Sequence, residues 1–146
     1  MGDYPKRKRL RLKDYDYSQD GYYFLTICTK GRRRFLSEIT YDKDGSAITT
    51  LTSYGKITDS YIKSIPGIDK YVIMPNHIHM IIHKTNGKSI NSDMRSFKGL
   101  VTKQIGDSIW QDSYYDHVIR NEADYQEKWK YIDENPAKWI TDEYNA

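Results

Sequence analysis

The residues best equipped for chemistry fall in two short stretches. The first is Met74-Pro75-Asn76-His77-Ile78-His79-Met80-Ile81-Ile82-His83. Successive side chains of a strand alternate between faces, so His77 and His79 point the same way, roughly 7 Å apart along the chain, while Ile78, Met80 and Ile82 point into a core. Two imidazoles side by side can converge on a divalent metal. The pair alone also fits two partly exposed histidines that bind nothing. His83 shares their face, and three histidines would point to zinc. Its position near the strand end reads instead as a surface residue. The second stretch lies toward the C-terminus, where Tyr125, Trp129 and Ile132 fall at i, i+4 and i+7 and form a core stripe. Tyr131 is off that stripe. Asp124, Lys128, Tyr131 and Asn135 share a polar flank beside it, and Tyr131 and Asn135, four residues apart, are neighbours. A phenol and a carboxamide held together can face one metal, the amide oxygen as ligand and the phenol as nucleophile. Alone, they also fit a surface tyrosine and a helix-terminal asparagine ahead of Pro136.

The elements that must position these residues follow from pattern. Tyr22 to Cys28 is rich in β-formers and predicts a buried strand, and Arg34 to Thr40 predicts a second. Asp44-Gly45 marks a turn before the β-rich Ala47 to Leu51. Ile57, Tyr61 and Ile65 give helical spacing over Ser53 to Ile65, closed by Pro66-Gly67. Tyr71 to Met74 and His77 to His83 predict a strand pair broken at Pro75-Asn76. Met94, Phe97, Val101 and Ile105 predict a helix from Ser89 to Ile105, and Ile109 to Ile119 reads as extended. The last helix runs from Asn121, an N-cap with Asp124 three residues on, to Asn135, where Pro136 ends it. Antiparallel strands with interspersed helices predict an α+β fold, a ferredoxin-like antiparallel sheet with helices packed on one face. The whole chain, 1–146, is expected to be one domain, with 1–17 as a basic N-terminal arm.

The 146 residues carry a net charge of +3, so overall charge selects no partner, but its distribution is uneven. Arg7, Lys8, Arg9 and Arg11 cluster near the start, and Arg32, Arg33 and Arg34 form a second group. Both are candidate contacts to a phosphate backbone, or else solvated charge. The 14 tyrosines suit stacking on unpaired bases, although most are expected in or beside the core. A single cysteine, Cys28, excludes an intrachain disulfide. No secretory signal or apolar run of spanning length is visible, and a cytoplasmic protein without membrane contact is expected. No Gly-rich phosphate loop is present.

In combination, Tyr71 to Ile82, then Asp116-His117-Val118-Ile119-Arg120-Asn121-Glu122, then Tyr131-Ile132-x-x-Asn135-Pro136, the sequence resembles the REP-associated tyrosine transposases. These are relatives of the insertion-sequence-200-like transposases within the single-tyrosine HUH superfamily (His, hydrophobic residue, His). The likeness runs from Gly21-Tyr22-Tyr23-Phe24 onward. It implies a ferredoxin-like catalytic domain, His77, His79 and Asn135 as ligands of Mg²⁺ or Mn²⁺, and Tyr131 as the nucleophile. It also implies cleavage and rejoining of single-stranded, hairpin-containing DNA, at REP-like or insertion-sequence ends, through a 5′-phosphotyrosine. Arg7, Lys8, Arg9, Arg11 and Arg32 to Arg34 are the expected DNA contacts. Relatives imply a monomer or a homodimer that can exchange tyrosine helices. Many relatives continue after Asn-Pro with a Gly-Leu-Val type ending, whereas this chain reads Ala137-Lys138-Trp139-Ile140. Two other readings remain: a domesticated, non-catalytic module that binds single-stranded nucleic acid, and a zinc hydrolase using His77, His79 and His83. The second lacks a carboxylate base within the motif.

Overall fold

The computed structural model describes residues 21–85, 87 and 89–145. The proposed N-terminal arm, with Arg7, Lys8, Arg9 and Arg11, lies outside the described residues. Four strands, β1 (Gly21–Cys28), β4 (Ile68–Ile73), β5 (His77–Lys84) and β6 (Tyr115–Val118), form one sheet in the order β4-β5-β1-β6. Every adjacent pair is antiparallel. With α1 (Ser53–Ile62) between β1 and β4, and α2 (Ile90–Ile105) between β5 and β6, this is the ferredoxin-like arrangement. A hairpin of β2 (Ser37–Tyr41) and β3 (Ala47–Leu51) is inserted before α1, and α3 (Glu122–Glu134) follows β6. No helix among the described residues is long and apolar enough to cross a membrane.

The helices begin where capping chemistry allows. Thr52, Ser89 and Asn121 each accept a backbone N–H of the first turn, from Gly55, Ser92 and Asp124 respectively. Gly106 ends α2 in the left-handed conformation. Gly55 allows α1 to press on the hairpin, because a β-carbon there would stand 1.9 Å from the carbonyl oxygen of Leu36.

β1 and β5 are buried along nearly their whole length, which requires cover on both faces of the sheet. On one face Tyr23, Leu25, Ile27, Ile78, Met80 and Ile82 meet α1 and α2 through Ile62, Met94, Phe97 and Val101. On the other, Tyr22, Phe24, Ile81 and Ile119 meet Tyr125 and Ile132 of α3. The α+β class and the antiparallel sheet are thus as expected, and the cover is fuller: α1 and α2 take one face while α3 crosses to the opposite one. The buried pair Lys84–Asp93, 3.0 Å apart, ties the end of β5 to the first turn of α2.

Several boundaries differ from expectation. Residues 30–36 do not join β2, because Gly31 and Arg32 both adopt positive φ in a 3-10 turn, Lys30–Arg32. A non-glycine residue in that conformation is uncommon. α1 ends at Ile62, although Ile65 stays buried. Between Ile109 and Tyr114 the chain makes only an isolated bridge, Thr29 to Trp110, before β6 begins. Trp129 is not in the core stripe and is 37% exposed. It overhangs the sheet edge at β4, where the ammonium of Lys70 sits 3.7 Å from its ring centre.

Candidate active site

β5 starts immediately after Pro75-Asn76, with Met74 donating its N–H to the carbonyl of His77 at 2.8 Å. That turn places His77 and His79 on the face beneath α3 and the C-terminal segment. Their rings are edge to face with centroids 4.6 Å apart, and both are buried. His77 Nδ1 lies 2.8 Å from Oδ1 of Asn76. The Asn76 amide group meanwhile donates to the carbonyls of Arg32 (3.2 Å) and Tyr144 (2.7 Å). An amide oxygen only accepts, so this bond needs the proton on Nδ1 and leaves a lone pair on Nε2. His79 Nδ1 is held 2.8 Å from the hydroxyl of Thr26, its register partner on β1. Burial pushes the pKa of His77 down to about 3, and the positive field of Arg32 adds to this while Asn135 opposes it. His79 is driven well below its usual value by burial and by His77. Both imidazoles are therefore neutral at physiological pH.

Tyr131 comes to this pair from α3. Its ring centroid lies 5.1 Å from that of His79 and 6.1 Å from that of Phe24, edge to face in both cases. The residue is 40% exposed. Burial raises its pKa, as do the carboxylates of Asp142 and Glu143, while the Asn135 amide lowers it. Asn135, the C-cap of α3, is buried and is felt by both Tyr131 and His77, yet its Oδ1 makes no well-formed hydrogen bond. Nε2 of His77 and Nε2 of His79 are likewise buried without a hydrogen-bond partner. Three buried polar atoms without a partner in one place are rarely left so, and two ring nitrogens with an amide oxygen are atom types that suit a divalent cation. Tyr125, the other tyrosine of α3, is buried in the second core with its hydroxyl on Asp69.

His83 does not join this set. It stacks on Tyr22 with ring centroids 4.1 Å apart, two strand positions beyond Ile81. Among the described residues no group of three His, Cys, Asp or Glu side chains could hold a metal ion, which removes the three-histidine zinc reading. Of the second basic cluster, Arg32 and Arg34 turn toward the C-terminal segment. Arg32 lies over the Tyr144 ring at 5.0 Å, and Arg34 lies over Trp139 at 5.3 Å and bonds Asn145. Arg33 lines a separate pocket with Lys30 and Phe35. The 3-10 segments Pro136–Thr141 and Glu143–Asn145 bring Tyr144 onto His77, stacked at 4.2 Å.

A cleft of about 410 Å³ opens beside the histidines, lined among others by Phe24, Thr26, His79, Lys128, Tyr131 and Tyr144. Sequence reasoning missed Thr26, Asn76 and Tyr144. Asn76 is next to His77 in the chain and was open to notice. Thr26 becomes visible only once the register of β1 against β5 is known.

An antiparallel ferredoxin-like sheet bearing paired histidines under a tyrosine helix defines a protein of the transposase class, which comparison with known proteins bears out. No family model matches the chain. An uncharacterized protein of Haemophilus influenzae is 32% identical over 171 residues, spanning 94% of this chain and 92% of its own. The REP-associated tyrosine transposase of Escherichia coli is 29% identical over 128 residues, spanning 85% of this chain and 72% of its own. A solved structure of a REP-associated tyrosine transposase bound to a REP hairpin superposes with a TM-score of 0.66 at 25% identity, covering 88% of this chain and 74% of the other. The chain is a REP-associated tyrosine transposase-like protein, a member of a transposase family.

Proposed function

We propose that this protein cleaves and rejoins single-stranded, hairpin-containing DNA through a covalent Tyr131 intermediate. The observation that carries this reading is the meeting of the Tyr131 phenol with two buried imidazoles and an amide whose Nε2 and Oδ1 atoms have no hydrogen-bond partner. The hairpin-bound relative lends support on the choice of DNA.

His77, His79 and Asn135 would hold Mg²⁺ or Mn²⁺, since neutral nitrogen and amide oxygen donors leave room for phosphate. Such a cation, when bound, polarises a phosphate and favours the phenolate of a neighbouring tyrosine. Asn76 and Thr26 fix the two rings through Nδ1, and Phe24 fixes the edge of Tyr131. A free phenol ionises only near pH ~10, and in this protein burial pushes Tyr131 higher. Its nucleophilicity therefore depends on what is brought into the cleft, which guards against idle cleavage. In the reaction a bond forms from Tyr131 Oη to phosphorus. The bond to the 3′ oxygen breaks, and its electron pair leaves on that oxygen, which takes up a proton to become a 3′-hydroxyl while the phenolic proton of Tyr131 passes to solvent. The 5′-phosphotyrosine conserves the phosphodiester energy, and attack by a new 3′-hydroxyl rejoins a strand. The chain works as a monomer in this scheme, because Tyr131 and the histidines of a single chain already meet.

The test is incubation of the protein with labelled single-stranded hairpin DNA and Mn²⁺, followed by a denaturing gel. A protein–DNA adduct is expected, abolished by EDTA and by Tyr131→Phe. An adduct that survives in Tyr131→Phe overturns the assignment of the nucleophile. Absence of an adduct with every hairpin tried, alongside tight DNA binding, replaces the enzyme with a binding module.

A further inference from the structure

We propose that Lys128 is a phosphate-binding residue of this same cleft, set one helical turn before Tyr131; the proposal deepens the nuclease reading and rests on it. The two side chains are three positions apart on α3, so they emerge on one side of the helix, and both line the cleft. Lys128 is the one lysine or arginine among the residues that line it, while Glu127 and Glu143 also border it. A cleft that receives a phosphodiester beside two acidic residues needs a compensating cation.

The ammonium is held in place from behind. Its Nζ lies 3.2 Å from Asp124 Oδ1 and 3.1 Å from Glu127 Oε1, and the side chain is 19% exposed. Asp124 is itself clamped: its Oδ2 meets His117 Nε2 at 2.8 Å and accepts the backbone N–H of Arg120 at 3.1 Å. Asp124 therefore cannot swing into the cleft with the lysine. An ammonium has three N–H donors, and these two carboxylates take two of them, which leaves the third for a ligand oxygen. A lysine serving only as an i,i+4 surface partner would need none of this support, since such pairs contribute only about 0.3–0.5 kcal/mol. The shared flank of Asp124, Lys128, Tyr131 and Asn135 along the helix is thus a functional strip, with the carboxylate as anchor, the ammonium as phosphate contact, the phenol as nucleophile and the amide as ligand.

The test uses the full chain carrying Tyr131→Phe, a labelled oligothymidylate, and EDTA, so that neither metal nor cleavage contributes. Affinity is measured across a salt series. Each phosphate neutralised on a single strand contributes about 0.7 to the slope of log K against log salt. Adding Lys128→Met should make the slope shallower by about 0.7, whereas Lys128→Arg should leave it unchanged. Lys130→Met, which removes an exposed lysine of the same helix that does not line the cleft, should leave the slope at the parent value. Equal slopes for Lys128→Met and the parent overturn the proposal. So does a Lys130→Met slope as shallow as that of Lys128→Met, which would make the effect one of net charge alone. The adduct assay above is read separately: a wild-type adduct with no slope change removes Lys128 alone, and a slope change with no wild-type adduct removes the chemistry alone.

Discussion

The two faces of the central sheet are made by the same two strands and do opposite work. Toward α1 and α2, β1 and β5 present Tyr23, Leu25, Ile27, Ile78, Met80 and Ile82, a continuous apolar layer. Toward α3 they present Tyr22, Phe24, Thr26, His77, His79, Ile81 and His83, which alternate between packing and polar groups. The first face carries no unsatisfied polar atom on these strands, whereas the second carries Nε2 of His77 and of His79. A period of two lets one strand anchor the fold with every other residue and hold reactive groups with the rest. Burial on the apolar face fixes the position of the polar face, so the histidines gain a rigid platform without contributing to the core that makes it.

Substitutions on the two faces should therefore separate activity from stability. His79→Ala is expected to eliminate the covalent adduct, the largest effect foreseen, while thermal unfolding shows a protein no less cooperative than the parent. Met80→Ala, one residue away and fully buried, should lower stability by about 2–5 kcal/mol, as large-to-small core changes do. Below the unfolding temperature it should leave the adduct yield near that of the parent. Urea unfolding of both variants checks the pair. A His79→Ala protein as unstable as Met80→Ala would mean that the polar face is part of the core after all.

This division was only partly legible in the sequence. The alternation in His77 to His83 revealed both the shared direction of the histidines and the apolar partners opposite them. The four-residue spacing of Tyr131 and Asn135 put phenol and amide on one flank of a helix. Neither pattern could say that α3 would cross to the histidine face, because helix amphipathicity names a buried side and not the surface that buries it. Trp129 leaves the stripe for a related reason: the i, i+4, i+7 spacing names a side of the helix, and the sheet that would bury it ends at β4. The roles of Arg32 and Arg34 depend on the 3-10 turn at Gly31-Arg32, whose positive φ at an arginine nothing in local propensity announces.

The polar face should also give the fold its sensitivity to acid. His77 has a folded pKa of about 3 against ~6.5 in the unfolded chain. The unfolded chain therefore binds more protons between those values, and stability rises with pH across that window. The contribution is complete above about pH 6.5 and is lost as pH falls toward about 3, with His79 acting in the same direction. Urea midpoints at pH 7 and pH 4.5 should show the loss, and His77→Gln should reduce it. A variant with undiminished acid sensitivity would transfer the effect to other groups.

The smallest effect belongs to a residue that acts in the proposed scheme through one histidine. Thr26 orients His79 through a 2.8 Å contact to Nδ1, and its side chain is buried beneath the cleft. Thr26→Val keeps the volume and removes the hydroxyl, so the ring loses the partner that fixes its rotation. Groups that orient metal-binding histidines in this way are commonly worth about 10–100-fold in metal affinity. Calorimetric titration of Mn²⁺ into the Tyr131→Phe background should show a loss of that order for Thr26→Val. Valine at Thr58, a buried threonine of α1 on the opposite side of the sheet, should change Mn²⁺ affinity little. Equal losses from the two would mean that Mn²⁺ reports general loosening of the fold, and the contrast between the faces would lose its chemical half.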